Sequence, residues 1–295
     1  MRRYSFVTVD VFTDRRFGGN PLAVFPEAAG LSDGEMQAIA REFNLSETTF
    51  VLPPDDPANT AKVRIFTPAA EMPFAGHPNV GTGWVLADQG RDRDGVLLFE
   101  EKAGLVRVEV DRGPDGRPSG ATIAAPQPLS LGIEVPVEVV AACAGLAPDD
   151  VLTAAHRPVV ASLGVGFVVA EVAAEALSRA AYDLAAFRRS AAEQAALRNR
   201  LEILLYARDG EGLRARMFAP LAGVPEDPAT GSAAVALGAL LLSLTVADEG
   251  AWDVIQGVEM GRPSLLKVTA RRGPDGIRAT VGGGCVPVLG GEAAV

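Results

Sequence analysis

Part of this chain is written twice. Arg64-Ile65-Phe66-Thr67-Pro68 is echoed by Arg216-Met217-Phe218-Ala219-Pro220. His77-Pro78-Asn79-Val80-Gly81-Thr82-Gly83 is echoed by Asp227-Pro228-Ala229-Thr230-Gly231-Ser232-Ala233. A weaker echo lies upstream, Gly19-Asn20-Pro21-Leu22-Ala23-Val24-Phe25 against Gly164-Val165-Gly166-Phe167-Val168-Val169. Each copy reads as strand, short loop, capping residue, proline, Gly-Thr or Gly-Ser, then an apolar helix. A duplication of this kind restricts the fold to two related halves, each with one helix start. Two such halves facing each other would aim both starts at one cleft.

The second copy is the clearer. Asp227 suits an N-cap, and Pro228 at the first helical position loses nothing, because its missing N–H would be unpaired there. The small residues that follow leave the amides of Thr230, Gly231 and Ser232 open to approach. A helix start of this form suits an anion such as a substrate carboxylate. An ordinary capped core helix has the same pattern. Val80, Trp84, Val85 and Leu86 in one copy, and Val235, Leu237, Leu240, Leu241 and Leu242 in the other, make both helices apolar on nearly all sides. Such a helix must be surrounded, which suits a curved sheet wrapped around it.

Elsewhere short strands dominate, over 6–12, 22–25, 50–52, 61–66, 96–100 and 105–110 in the first half, over 201–206, 213–218 and 265–270 in the second, and over 277–281 after it. Ser32 with Glu35 forms a capping box for a helix with Met36, Ile39, Ala40 and Phe43 on its apolar face. Residues 78–88 and 137–144 read as helices, and 180–198 as one or two more. The tail 290–292 reads as frayed. Ala125-Pro126-Gln127-Pro128 marks the boundary. The N-terminal half is expected over 1–126, completed by a C-terminal strand at 277–295, and the C-terminal half over 127–276.

With 295 residues and a net charge of −10, the chain has no basic stripe, so a nucleic-acid partner is not expected. No apolar run is long enough to span a bilayer. The N-terminus lacks a signal-peptide pattern, and the expected location is the cytoplasm. The two cysteines, Cys143 and Cys285, make no metal spacing and read as buried small hydrophobes. No metal is expected. The phosphate-loop and dinucleotide fingerprints are absent.

Among residues able to do chemistry, Glu47 stands between hydroxyls in Leu45-Ser46-Glu47-Thr48-Thr49-Phe50, bracketed by apolar segments. A carboxyl partly removed from water has a raised pKa and can exchange protons near neutrality. It also reads as a solvated glutamate at a loop end. His77, one of two histidines, occupies the capping position of the first helix start, where it could accept a proton, pair with a carboxylate or simply cap. His156 reads as structural. Asp227 matches His77 in the repeat, as N-cap or ligand contact. Ser232 and Thr82 match as hydroxyl donors. Asn20 is a turn residue or a positioning donor. Ser46 and Ser232 have no base arranged beside them, which disfavours nucleophilic hydrolysis.

Several segments, taken in order, resemble the PhzF-like family, relatives of the phenazine biosynthesis isomerase. They are Asp10-Val11-Phe12-Thr13, Gly19 to Val24, Asn44 to Phe50, Arg64 to Pro68, Phe74-Ala75-Gly76-His77-Pro78 and Glu226 to Ala233. The resemblance implies the α/β (α+β) diaminopimelate-epimerase-like fold, two pseudo-symmetric halves, each a curved, mostly antiparallel sheet around a central helix. It implies a cofactor-free enzyme, commonly a homodimer, with its site between the halves. In phenazine-pathway members a glutamate matching Glu47 shuttles a proton, and the positions matching His77, Asp227 and Ser232 surround the substrate with Gly76 beside them. Related epimerases and proline racemases place a cysteine pair at the two helix starts. This chain has Gly76-His77 and Asp227 there, which points away from two-thiol racemisation.

The expected function is therefore cofactor-independent isomerisation of a small carboxylate. Glu47 is the acid/base, and His77 and Asp227 assist proton transfer or orient polar groups. Thr230, Gly231 and Ser232 hold the carboxylate, with Asn20 and Ser46 as lesser contacts. A non-catalytic carboxylate-binding protein and an amino-acid racemase or epimerase are the alternatives.

Overall fold

The computed structural model describes residues 1–194, 201–210 and 212–295. They fall into two compact units, residues 1–124 with 282–295, and residues 125–281.

The first unit contains β1 (Arg3–Val11), β2 (Asn20–Phe25), α1 (Asp33–Phe43), β3 (Glu47–Leu52), β4 (Ala61–Phe66), β5 (Glu71–Met72), α2 (Gly76–Asp88), β6 (Val96–Glu101), β7 (Gly104–Arg112) and β8 (Pro118–Ala124). β1 pairs antiparallel with β2, β2 parallel with β3, β3 antiparallel with β4, β4 parallel with β6, and β6, β7 and β8 antiparallel in turn. The short β5 adds to β4.

The second unit contains β9 (Ser130–Glu134), α3 (Val137–Ala144), β10 (Val151–Leu152), β11 (Val159–Ser162), β12 (Gly166–Val172), α4 (Ala174–Arg179), α5 (Leu184–Glu193), β13 (Ile203–Asp209), β14 (Gly212–Ala219), β15 (Val224–Asp227), α6 (Gly231–Ser243), β16 (Glu249–Gln256) and β17 (Ser264–Gly273). Its central run repeats the first unit's. β12 is parallel to β13, β13 antiparallel to β14, β14 parallel to β16, and β16 antiparallel to β17, with short β15 added to β14. The doubled sequence segments thus fall on matching elements: β4 and β14, α2 and the approach to α6, β2 and β12. The helical expectation over 180–198 is met in part by α5, which begins only at Leu184, and its part over 195–198 lies outside the described residues.

β18 (Gly276–Ala294) gives its first residues to the second unit and, from Gly282 on, the rest to the first. There it pairs with β1 and with β8, which closes the first unit's strands into a ring. Gly120 on β8 lies so close to β18 that a Cβ would stand 2.2 Å from the Gly283 carbonyl oxygen. The tail expected to fray is paired instead: Gly291 lies opposite Phe6 and Glu292 opposite Ser5. Its glycines admit the Phe6 ring, which a Cβ at Gly291 would approach to 3.1 Å.

Helix α2 fills the first unit. Every residue from Gly76 to Ala87 is buried. A Cβ on Gly81 would strike Leu22 of β2, and one on Gly83 would strike Val108 of β7. Strands therefore press on different sides of the same helix, as its all-round apolar sequence requires. Helix α6 is buried from Ala233 to Leu242 in the second unit, with Gly238 against Val268 of β17. Helix α1 carries the capping box of Ser32 and Glu35, and its Phe43 joins Phe6 and Phe25 in edge-to-face contacts. Among the described residues, no helix is long and apolar enough to cross a membrane.

Candidate active site

The first unit gathers three of the candidate residues. Gly19, at φ +61°, turns the chain where a Cβ would lie 2.3 Å from the Val11 carbonyl oxygen. That turn delivers Asn20 to the start of β2, fully buried. Glu47 is the first residue of β3, beside Leu22 of β2, rather than a loop residue ahead of the strand. Its side chain keeps 17% of its surface exposed, against 6% for His77. Ser46 precedes it, half-buried.

His77 is not the cap of α2. The helix begins at Gly76 with Ala75 as its N-cap, so His77 is its second residue and Pro78 its third. Proline is tolerated in a first turn because the N–H it lacks has no helical partner there. The imidazole bridges two strands. Its Nδ1 is 3.3 Å from Asn20 Nδ2, and its Nε2 is 3.3 Å from Glu47 Oε2. With the Asn20 amide so oriented, its N–H donates and Nδ1 accepts, which leaves the ring proton on Nε2, the nitrogen nearer Glu47. Burial pulls the imidazole down to about 3, so it is neutral near pH 7. The Nε2–Oε2 approach falls short of hydrogen-bond geometry; such contacts often tighten only when substrate is bound. Thr82, expected to match Ser232 as a donor, instead bonds Thr49 at 2.8 Å inside the unit.

The second unit holds the other set, arranged differently from the expected cap. Asp227 is the last residue of β15, and α6 starts four residues later at Gly231, with Thr230 as N-cap. The reason is Gln256, at the end of β16 and fully buried. Its Nε2 donates to the Asp227 carbonyl at 2.7 Å and to Thr230 Oγ1 at 3.1 Å. Its Oε1 accepts from the Thr230 N–H at 3.2 Å. The Asp227 carbonyl and Thr230 amide are thus occupied by a side chain before a helical turn can form through them. The Thr230 amide, expected to be open, is committed to Gln256. The Gly231 and Ser232 amides stand in the first turn, where a helix supplies no partner. Thr230 Oγ1 also donates to Asp227 Oδ2 at 2.6 Å, which fixes the carboxylate.

Behind Asp227, Arg216 of β14 grips Glu226 with two bonds of 2.8 and 2.9 Å. Its other nitrogen reaches the Leu177 and Ala180 carbonyls. In the first unit, Arg64 of β4 grips Glu71 of β5 likewise, with two bonds of 2.8 Å. Each arginine also lies over a phenylalanine two residues on, Phe66 or Phe218. Sequence reasoning missed the function of these clamps and of Gln256. The doubled Arg-x-Phe was a visible signal for the first; nothing local marks the second.

Both cysteines are buried, and burial pushes each thiol up, away from the thiolate form. His156 bonds the Tyr206 hydroxyl at 2.9 Å, consistent with its structural reading. No group of three or more potential metal ligands occurs among the described residues.

Two units with one repeated strand order, each built on a buried helix, and a glutamate–imidazole pair at the start of one helix define an α/β protein of the PhzF and epimerase-like fold class. The chain matches the phenazine biosynthesis-like (PhzC-PhzF) family over residues 9–291. It is 39% identical to an uncharacterized isomerase of Mesorhizobium japonicum, over 99% of each chain. It is 37% identical to the trans-2,3-dihydro-3-hydroxyanthranilate isomerase of Pseudomonas aeruginosa, over 92% of this chain and 91% of that one. The crystal structure of a PhzF-family protein of Bacillus anthracis superposes with a TM-score of 0.88 over 100% of both chains, at 24% identity. This chain belongs to the PhzC-PhzF family.

Proposed function

We propose that the protein is an isomerase that moves a proton between two carbons of a small carboxylate, with Glu47 as the acid/base. The observation that carries this is the contact of Glu47 Oε2 with His77 Nε2 at 3.3 Å. The Glu47 carboxyl is still reachable from solvent, and its neighbour is a neutral imidazole with the protonated nitrogen nearest it. As the carboxylate, Glu47 removes a proton from one substrate carbon; as the acid, it returns one to another. Burial favours the neutral imidazole. Its part is to hold one Glu47 oxygen by Nε2–H while the other works. Of the two expected parts for His77, proton transfer or orientation, this reading takes orientation.

Asp227, Gly231 and Ser232 are assigned the polar groups of the substrate, the amides at the α6 start taking its carboxylate. Gly76, Ser46 and Asn20 keep supporting places around the Glu47–His77 pair. The isomerase names of relatives that align with nearly the whole chain support the reaction class. A cyclic hydroxy acid of the kind named for the Pseudomonas relative is the first substrate to try. The same reading takes the protein as a homodimer, which light scattering on the purified chain tests.

Candidate acids incubated with the protein in deuterium oxide should exchange a carbon-bound hydrogen. A Glu47→Gln variant should lose about a hundred- to ten-thousandfold of that rate and keep substrate affinity. Undiminished exchange in the variant removes Glu47 from its role. Binding without exchange in the wild type turns the reading into a carboxylate receptor.

A further inference from the structure

A second carboxyl in the first unit has no place in this chemistry so far. Along β6, Leu97 and Phe99 are buried, and the two-residue period of a strand puts Glu101 on the same inward side. Both of its carboxyl oxygens are shut off from solvent and have no hydrogen-bond partner among the described residues. Its polar neighbour is the side-chain amide of Asn79, in the first turn of α2. Asn79 is fully buried. One of its N–H groups holds the Ala75 carbonyl at 3.1 Å, while its Oδ1 is also without a partner. A carboxylate and an amide oxygen are all acceptors. A carboxylate could take the second Nδ2–H but would leave Oδ1 without a donor; a proton on the acid satisfies both, with O–H toward Oδ1 and the second Nδ2–H toward the acid carbonyl.

We propose that Glu101 is a positioning residue: as a neutral acid paired with Asn79, it locks the Ala75–Asn79 turn that carries His77. Burial pushes its carboxyl up to about 8, against a smaller downward pull from the Asn79 amide. Charged groups on the surrounding elements are engaged elsewhere. Glu100, next in β6, accepts the Asp55 and Asp56 amides and the Asn59 side chain. Lys62 of β4 pairs with Asp55. Lys102 and Arg64 both pair with Glu71 of β5. On α2, His77 is the titratable group of the first turn, and it faces Glu47. Ionising Glu101 removes the O–H from the pair and sets a charge against Asn79 Oδ1, so the turn loosens as pH rises through that value.

The catalytic consequence rests on the proposed role of His77; the structural one does not. The chain has only two histidines, so ¹⁵N-histidine spectra of the full-length protein, assigned with a His77→Gln variant, report on this turn directly. The His77 ring shifts should inflect near pH 8 without the ring itself protonating, and a Glu101→Gln variant should lose that inflection. Infrared difference spectra of the wild type across the same range require no variant and should show a protonated-carboxyl band disappearing. In the deuterium-exchange assay, turnover should fall by about tenfold above that pH through kcat rather than KM, and the Glu101→Gln profile should lose this step. An inflection that survives in Glu101→Gln, or a wild type with no protonated-carboxyl band, overturns the proposal. Failure of every acid to exchange defeats the isomerase reading and leaves the ring shifts to decide on Glu101.

Discussion

The two helix starts were written in nearly the same letters and folded differently. In the first unit the helix begins one residue before His77. In the second it begins four residues after Asp227. Proline follows the key residue in both, so proline does not decide. What differs is the partner. Asn79 sends its amide back to the Ala75 carbonyl within its own turn, whereas the Asp227–Thr230 segment is held by Gln256 from another strand. The two starts thus differ in which group, local or distant, engages the backbone of the first turn. The result is a neutral imidazole on a helix in one unit and a hydroxyl-bonded carboxylate at a strand end in the other.

That contrast can be broken in a graded way. The largest effect should come from the arginine clamps. Arg216→Leu leaves Glu226 without the guanidinium that now grips it and should destabilise the protein by about 3–5 kcal/mol in urea unfolding. Arg64→Leu should lose less, because Lys102 still pairs with Glu71. Equal losses would mean that the clamps are equivalent. Next comes Gln256→Leu, which leaves the Asp227 carbonyl and Thr230 amide buried without their partner. It should destabilise by about 2–3 kcal/mol and lower affinity for a substrate carboxylate, while the His77 ring signals stay in place. The most gradual, and the smallest over any single pH unit, is a pH effect in the first unit. Below 6.5 the unfolded chain protonates His77 and the folded one does not until about 3. Stability should therefore fall as pH drops through that window, by at most about 1.4 kcal/mol per pH unit. Urea midpoints measured against pH should show a shallower fall in His77→Gln.

How far the sequence could be read follows the same line. The duplication, the buried helices and the Ser32–Glu35 box rest on neighbours in sequence, and the fold repeats them element by element. Glu47, His77 and Asn20 were found singly. Their contact depends on β2 lying parallel to β3 with α2 packed beside them, which no local pattern states. The start of α6 was misread because its determinant, Gln256, lies 26 residues beyond Thr230. Glu101 was visible in principle as an acidic residue in the inward register of Val96-Leu97-Leu98-Phe99-Glu100-Glu101. The strand expected over 96–100 ends one residue short of it, whereas β6 runs to Glu101. The glycines of the tail concealed a strand because strand propensity takes no account of the Phe6 ring they accommodate.

The pairing of β18 with both β1 and β8 has a consequence for how the protein is made. Residues 282–295 close the ring of the first unit, yet they leave the ribosome after every residue of the second. The unit whose synthesis starts first must wait with two strand edges open, while the unit translated later already has its full complement of residues. Shortening the chain by this one strand should therefore cripple the unit built from the N-terminal strands.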